Sequence, residues 1–340
     1  MNMASIQDIA TLAGVSKATV SRILNQDPNF SVSEVTRNRV WQVANQLHYK
    51  LANVATRNHQ DKLHLAMITA LTAQEELAGL YFQEIIAGMN EQANRWGMKI
   101  ADRIRLPVTD EIDWQNLSVY GAVLVVGVLT DDVLAKIYKY NKNIVIVDDS
   151  RIFENYDVIR NDFGRQTKHL LDLLSEKGHQ RIAFVGGQTH LVGATQSEQH
   201  NMLDVRHQAY LEWMLLHRLE NYTQTYITEW TSEGAMQATK KLLQEGKRPT
   251  AIMASSDIQA IGVYRAIQEM NYKIPDDIAV VSFDGIDTSA YLYPSLTSVR
   301  PAAKEIGKEA INLAREKLVG DRESAIQLTI NSKVLLRESI

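Results

Sequence analysis

The 340-residue chain contains no cysteine, which excludes disulfides, thiolate metal ligands and redox-active thiols and fits a reducing compartment. The start, "MNMASIQDIA", lacks a basic stretch followed by an apolar run, so no secretion signal is read there. No run approaches the roughly 18 uninterrupted apolar residues of a membrane span. Taken together, these absences lead us to expect a cytoplasmic protein with no membrane partner. The motifs of common chemistries are missing as well. "EGKRPT" is a turn rather than a phosphate loop, and no G-x-G-x-x-G follows a strand. There is no H-E-x-x-H, no G-x-S-x-G elbow, and no metal spacing among the nine histidines. We therefore expect no catalytic residue, no metal and no cofactor.

The remaining composition is that of a globular protein: 45% hydrophobic and 22% charged, in a chain longer than one domain usually needs. The net charge of −4 is uneven. Residues 1–60 carry +3 and the other 280 carry −7. A basic head on an acidic body suggests a polyanion for the head alone.

The head opens with "DIATLAGVSKATVSRILN", residues 8–25. Ile6, Ile9, Ala10 and Ala13 recur at helical spacing, Gly14 suits a left-handed turn, and Ser16 can cap a second helix. On that helix Val20, Ile23 and Leu24 face inward. Lys17, Ala18, Ser21, Arg22 and Asn25 form the opposite face. Two short helices joined by a glycine turn suit either a plain helical hairpin with a solvated face or a helix-turn-helix that reads base edges. A third helix over residues 31–49 places Val35, Val40, Val43, Ala44 and Leu47 on one face and can complete a small core.

Beyond residue 63 short apolar runs alternate with helical stretches: "LHLAMITA", "AVLVVGV", "NIVIVDD", "RIAFVGG", "TAIMASSD" and "IAVVSFDG". Such runs suit parallel strands buried on both faces, in doubly wound sheets. They end in Asp148 and Asp149, Gly186 and Gly187, Ser255 to Asp257, and Asp284. Ligands of open parallel sheets bind beyond these carboxyl ends. Turn or cap duties explain the same residues, and Asp257 in particular reads as the cap of the helix after it.

The stretch 8–25 and the layout of the whole chain resemble the LacI/GalR family of bacterial regulators. "YRAIQEMNYKIPDDIAVVSFDGI" and "YDVIRNDFGR" are most similar to the branch containing the evolved β-galactosidase repressor. The resemblance implies a small all-α helix-turn-helix head (1–49), a hinge (50–62) and an α/β periplasmic-binding-protein-like body (63–340) of two doubly wound subdomains. The first subdomain would take about 63–160 plus 301–325, the second about 161–300 plus 326–340.

The family pattern assigns base reading to Lys17, Ala18 and Arg22, and phosphate contacts to Ser16, Thr19, Ser21 and Asn25. Val54, Arg57 and Asn58 would enter the minor groove. Leu51 and Asn58 depart from the proline and leucine common there; without an apolar wedge at 58 we expect weak operator kinking.

In the body, the resemblance assigns effector binding to Asp148, Arg206, Ser256 and Asp284, with Tyr81, Phe82 and Trp230 supplying ring faces. Ala209 stands in place of a usual glycine, and Ser256 in place of an asparagine. Carboxylates, an arginine fork and rings suit a neutral polyol rather than a phosphorylated one. The reading is a dimeric repressor of a sugar-utilisation operon, released from palindromic double-stranded operator DNA by galactose or a β-galactoside. The end of the chain shows no added leucine heptad, hence a homodimer rather than a tetramer. Another effector, activation instead of repression, a sugar enzyme with a regulatory head, and a transport-binding protein are the competing readings.

Overall fold

The computed structural model describes residues 5–24, 30, 32–47, 63–72, 76, 80–108, 112–245, 247–320 and 322–340. The chain divides into two compact units, Met1–Leu63 and His64–Ile340.

In the first unit α1 (Ile6–Ala13) opens on a capping box. The Ser5 side chain accepts from the Asp8 amide, and Asp8 accepts from the Ser5 amide at 2.7 Å. Gly14 ends the helix at φ 64°, a conformation that costs glycine nothing. α2 (Lys17–Leu24) and α3 (Glu34–Gln46) follow. Ile9, Ala10, Ala13, Val20, Ile23, Val40, Val43 and Ala44 form the core. Val35, expected on the packed face of α3, is instead 75% exposed. At 100° per residue it lies roughly 140° around the helix from Val40, beyond the reach of an inward stripe.

The second unit contains two six-stranded sheets. The first has the order β13-β5-β4-β3-β1-β2, built from β1 (His64–Thr69), β2 (Lys99–Arg105), β3 (Ala122–Val126), β4 (Ile144–Val147), β5 (Asp157–Asn161) and β13 (Gln327–Ile330). The second has the order β14-β12-β11-β10-β6-β9, from β6 (Ile182–Gly187), β9 (Gln224–Thr228), β10 (Ala251–Ala254), β11 (Ala279–Phe283), β12 (Thr297–Arg300) and β14 (Lys333–Leu335). All pairings are parallel except β12 with β14. β3, β4, β6, β10 and β11 are buried along their whole length, so their sequences are predominantly apolar runs, with Ser282 the one polar side chain among them. Edge strand β2, "KIADRIR", alternates instead.

The helices of the first subdomain are α4 (Leu80–Arg95), α5 (Asp131–Tyr140) and α10 (Ala303–Val319). Those of the second are α6 (Phe163–Glu176), α7 (Val205–Leu216), α8 (Ser232–Gln244) and α9 (Asp257–Glu269). Between β6 and α7 an antiparallel hairpin, β7 (Thr189–Leu191) with β8 (His200–Met202), forms a two-stranded sheet of its own.

The chain passes between the sheets after β5, after β12 and after β13. The last passage lies at 331–332, not at the expected 325–326. Ile326 donates its amide to Asp157 at 2.8 Å, and Gln327–Ile330 pair with β5, which keeps this segment in the first sheet. Asp162, at the first passage, accepts from the Ser332 amide at 2.8 Å and from Gln166 at 2.7 Å, so it ties the first and third passages together.

α9 is capped by Ser256, whose hydroxyl accepts from the Gln259 amide at 3.2 Å. Asp257, expected to be that cap, is fully buried and accepts from Ser298 at 2.6 Å and the Ile286 amide at 2.9 Å. It therefore ties the segment after β11 to β12.

Candidate functional site

Two places carry chemistry. The first is the outward face of α2, where Ser16, Lys17, Ala18 and Arg22 are exposed while Thr19 and Ser21 are half-buried. The Ser16 hydroxyl accepts from the Thr19 amide at 3.0 Å and shares a 2.9 Å hydrogen bond with the Thr19 hydroxyl. This pair closes the first turn and presents Lys17 and Ala18 at its lip. Arg22 lies with its guanidinium 5.4 Å from the Phe30 ring centre. Asn25, Leu51, Val54, Arg57 and Asn58 lie outside the described residues.

The second place is the cleft where the two sheets' carboxyl ends meet. Asp148 follows β4 and Asp284 follows β11, with φ of 67° and 99°. Non-glycine residues take such angles rarely, and aspartate tolerates them better than most. Asp148 accepts from the Tyr81 hydroxyl and from the Asn161 amide, both at 2.7 Å, and Asn161 also donates to the Tyr81 oxygen at 2.9 Å. Tyr81 comes from α4, and its ring sits 5.8 Å from that of Phe163. One tyrosine thus bridges the first subdomain's acidic residue and the second subdomain's rings.

Across the cleft Arg206, only 8% exposed, is gripped by Asp204. Its Nε and Nη2 donate to the two carboxylate oxygens at 2.7 and 2.8 Å, and Nη1 donates to the Ser255 carbonyl at 2.7 Å. Phe163, Trp230 and Phe283 surround the guanidinium at 5.0, 4.9 and 5.7 Å. Trp230 is held by a 2.9 Å bond from its indole nitrogen to the Gln188 carbonyl. It lies so close to Gly187 that a Cβ there would come within 2.2 Å of the indole.

The charges are unbalanced. Three carboxylates face one guanidinium, and Asp204 takes most of it. Desolvation pushes Asp284 up to about 7, with the charge of Asp257 adding to the rise and Arg206 opposing it. Desolvation likewise raises Asp148 to about 6, against the Tyr81 hydrogen bond and Arg206. Burial also works to raise Asp204, but the charge and hydrogen bonds of Arg206 outweigh it, and its pKa falls below the usual value. Tyr81 is driven well above the usual phenol value by desolvation first and Asp148 second. The site therefore offers two oxygen acceptors not matched by a cation, framed by ring faces.

Of the residues expected at the cleft, Tyr81, Asp148, Arg206, Trp230 and Asp284 converge. Phe82 turns toward the first subdomain's core, its ring edge-on to Tyr81 at 5.0 Å. Ser256 is nearly buried, with its hydroxyl engaged in capping. The arginine fork expected to meet ligand hydroxyls has three of its five donors already engaged. Asn161, Phe163, Asp204 and Phe283 were not foreseen. Asn161 likewise stands at the carboxyl end of a strand, β5, but the mixed sequence "DVIRN" did not mark it as one of the apolar runs. Asp204 had a local signal too, an N-cap two residues before the arginine.

Residues 5–51 match the model of the bacterial regulatory proteins of the lacI family, and residues 171–340 match that of the periplasmic binding protein-like domain. The chain belongs to the lacI family. Its relatives include the HTH-type transcriptional regulator GalR of Streptococcus thermophilus, 28% identical with 99% of both chains covered. Two solved structures share the fold of this LacI-family chain. One is the transcriptional regulator CelR–cellobiose complex, with TM-score 0.67, 22% identity, and 99% and 100% coverage. The other is the lac repressor dimer bound to operator and the anti-inducer ONPF, with TM-score 0.69, 21% identity, and 99% of each chain covered. The LacI-family chain is a DNA-binding transcriptional regulator with an α/β periplasmic-binding-protein-like body, not an enzyme. Among the described residues no group of histidines and acids is placed to hold a metal, and no helix is long and apolar enough to cross a membrane.

Proposed function

We propose that the chain is a homodimeric cytoplasmic repressor whose two heads bind a pseudo-palindromic operator and whose cleft binds galactose or a β-galactoside as inducer. The observation that carries the sugar reading is the pair of cleft carboxylates, Asp148 and Asp284, set among aromatic rings with no cation of their own. Sugar hydroxyls donate to carboxylates, and ring faces cover the C–H side of a pyranose. The excess negative charge disfavours phosphorylated sugars. The CelR structure holds a sugar, and the lac repressor structure pairs a dimer with an operator; both are the arrangements proposed here.

In this reading Lys17 and Arg22 pair with base edges, and Ala18 meets a thymine methyl. Ser16, Thr19 and Ser21, followed by Asn25, hold phosphates, while Val54, Arg57 and Asn58 enter the minor groove. Inducer lowers operator affinity only through its differential affinity for two subdomain arrangements, a coupling of typically ~1–3 kcal/mol. The test is operator binding by the full chain, titrated with galactose, lactose, cellobiose and galactose 6-phosphate. Release by galactose or lactose alone is the expected result. Release by none of the galactosides removes the effector assignment, and failure to bind any operator-like duplex removes the regulator mechanism.

A further inference from the structure

The hairpin segment 188–204 rises from the second subdomain, yet its tip is part of the first. Val192 donates its amide to the Val128 carbonyl and accepts from the Thr130 amide, both at 3.0 Å, and the Ala194 carbonyl accepts from the Val108 amide at 3.0 Å. The Val192 and Ala194 side chains, 6% and 8% exposed, are buried with Leu106, Leu129 and Val133 of the first subdomain. The tip is braced internally by Glu198, which accepts from the Ala194 amide at 3.0 Å.

The base of the same hairpin is built into the cleft. Gln188 holds the Trp230 indole at 2.9 Å, and the Thr189 hydroxyl donates to Asp204 at 3.3 Å.

Strand order locates this contact. The three chain passages leave β5, β12 and β13, strands at or next to one edge of their sheets, and the last of them enters edge strand β14. The hairpin leaves β6, next to the far edge of the second sheet, and lands beyond β3 and β2, toward the far edge of the first. The cleft is thus closed by covalent passages at one end and by a non-covalent bridge at the other.

We propose that segment 188–204 is a clasp: its tip must part from residues 108 and 128–130 for ligand to enter or leave the cleft, and its base reports occupancy through Trp230 and Asp204. The ligand part of this inference rests on the sugar-binding reading above; the clasp itself does not.

The absence of native cysteine permits a clean test in the full-length protein. Spin labels at Lys136→Cys on α5 and Gln237→Cys on α8 report the spacing of the two subdomains. Val192→Pro removes the Val192 donor, and Val192→Asp places a charge against the first subdomain's core. Both are expected to broaden or lengthen the label distance distribution. Both should also raise the dissociation rate of galactose about fivefold, the equivalent of one net hydrogen bond. Without the labels, the pair Leu129→Cys and Val192→Cys, paired across a bridge, adds a lock while keeping the backbone hydrogen bonds of the contact. Oxidised, it should slow galactose exchange, and reductant should restore it. Unchanged distances in both Val192 variants overturn the clasp, and so does exchange in the oxidised lock as fast as in the reduced protein. If distances change while neither parent nor variants bind galactose, the clasp stands and the effector assignment falls.

Discussion

Asp204 holds Arg206 by two parallel hydrogen bonds and also accepts the Arg206 amide at 2.9 Å, so one carboxylate both caps α7 and orients the guanidinium on it. Removing it leaves a nearly buried guanidinium without its partner. Asp204→Ala should therefore destabilise the body by about 3–5 kcal/mol. Asp204→Asn, which keeps an oxygen for the cap, should lose less. Urea unfolding of the three proteins decides, and equal stabilities would show that Arg206 finds another partner.

Arg22→Ala should abolish preference among operator sequences while leaving sugar binding intact. The residue is exposed, so the helical head keeps its core. A bidentate base contact is worth about 1–3 kcal/mol of discrimination. Competition binding against shuffled duplexes measures it, and undiminished selectivity would end the base-reading role.

The raised carboxyls make stability depend on pH. An acid whose folded pKa is raised keeps its proton in the folded chain at pH values where the unfolded chain has already lost it. Asp148 at about 6 and Asp284 at about 7 should thus erode stability as pH rises from about 4, the unperturbed carboxyl value, to about 7. Asp284→Asn, which cannot ionise, should raise the melting temperature at pH 8 and raise it less at pH 5. The same substitution should weaken sugar binding. An equal gain at both pH values would show that Asp284 ionises freely in the fold.

Gly187→Ala should displace Trp230, because the added methyl would meet the indole within 2.2 Å. Real side chains do not tolerate that spacing, so the ring must move. Sugar affinity should fall with little loss of operator affinity. A tryptophan emission spectrum unchanged from the parent would show that the ring has stayed in place.

Much of this architecture was legible in the sequence. A glycine between two capped, periodic segments marked the head, and strands buried on both faces wrote themselves as predominantly apolar runs. The residues that escaped were those whose neighbours come from far along the chain. Nothing local to Phe163 says that its ring will reach Arg206, and nothing in "QTHLVGATQSEQHNM" has the period of a packed strand, although Val192 and Ala194 are buried. Asp257 was misread because a serine just before it takes the cap, and Val35 because an apolar residue at a helix start was counted into a stripe it does not share. The boundary near 325 missed because a four-residue strand carries little signal of which sheet it will join.

Asp162 has a mechanical corollary. Its bond to the Ser332 amide holds the first and third passages side by side, so a rotation of the subdomains about this junction would pivot close to its carboxylate. Displacement under rotation grows with distance from the axis. Under such a rotation a few degrees of turn would barely move Asn161, while β2 and β9, at the opposite margin, would travel furthest.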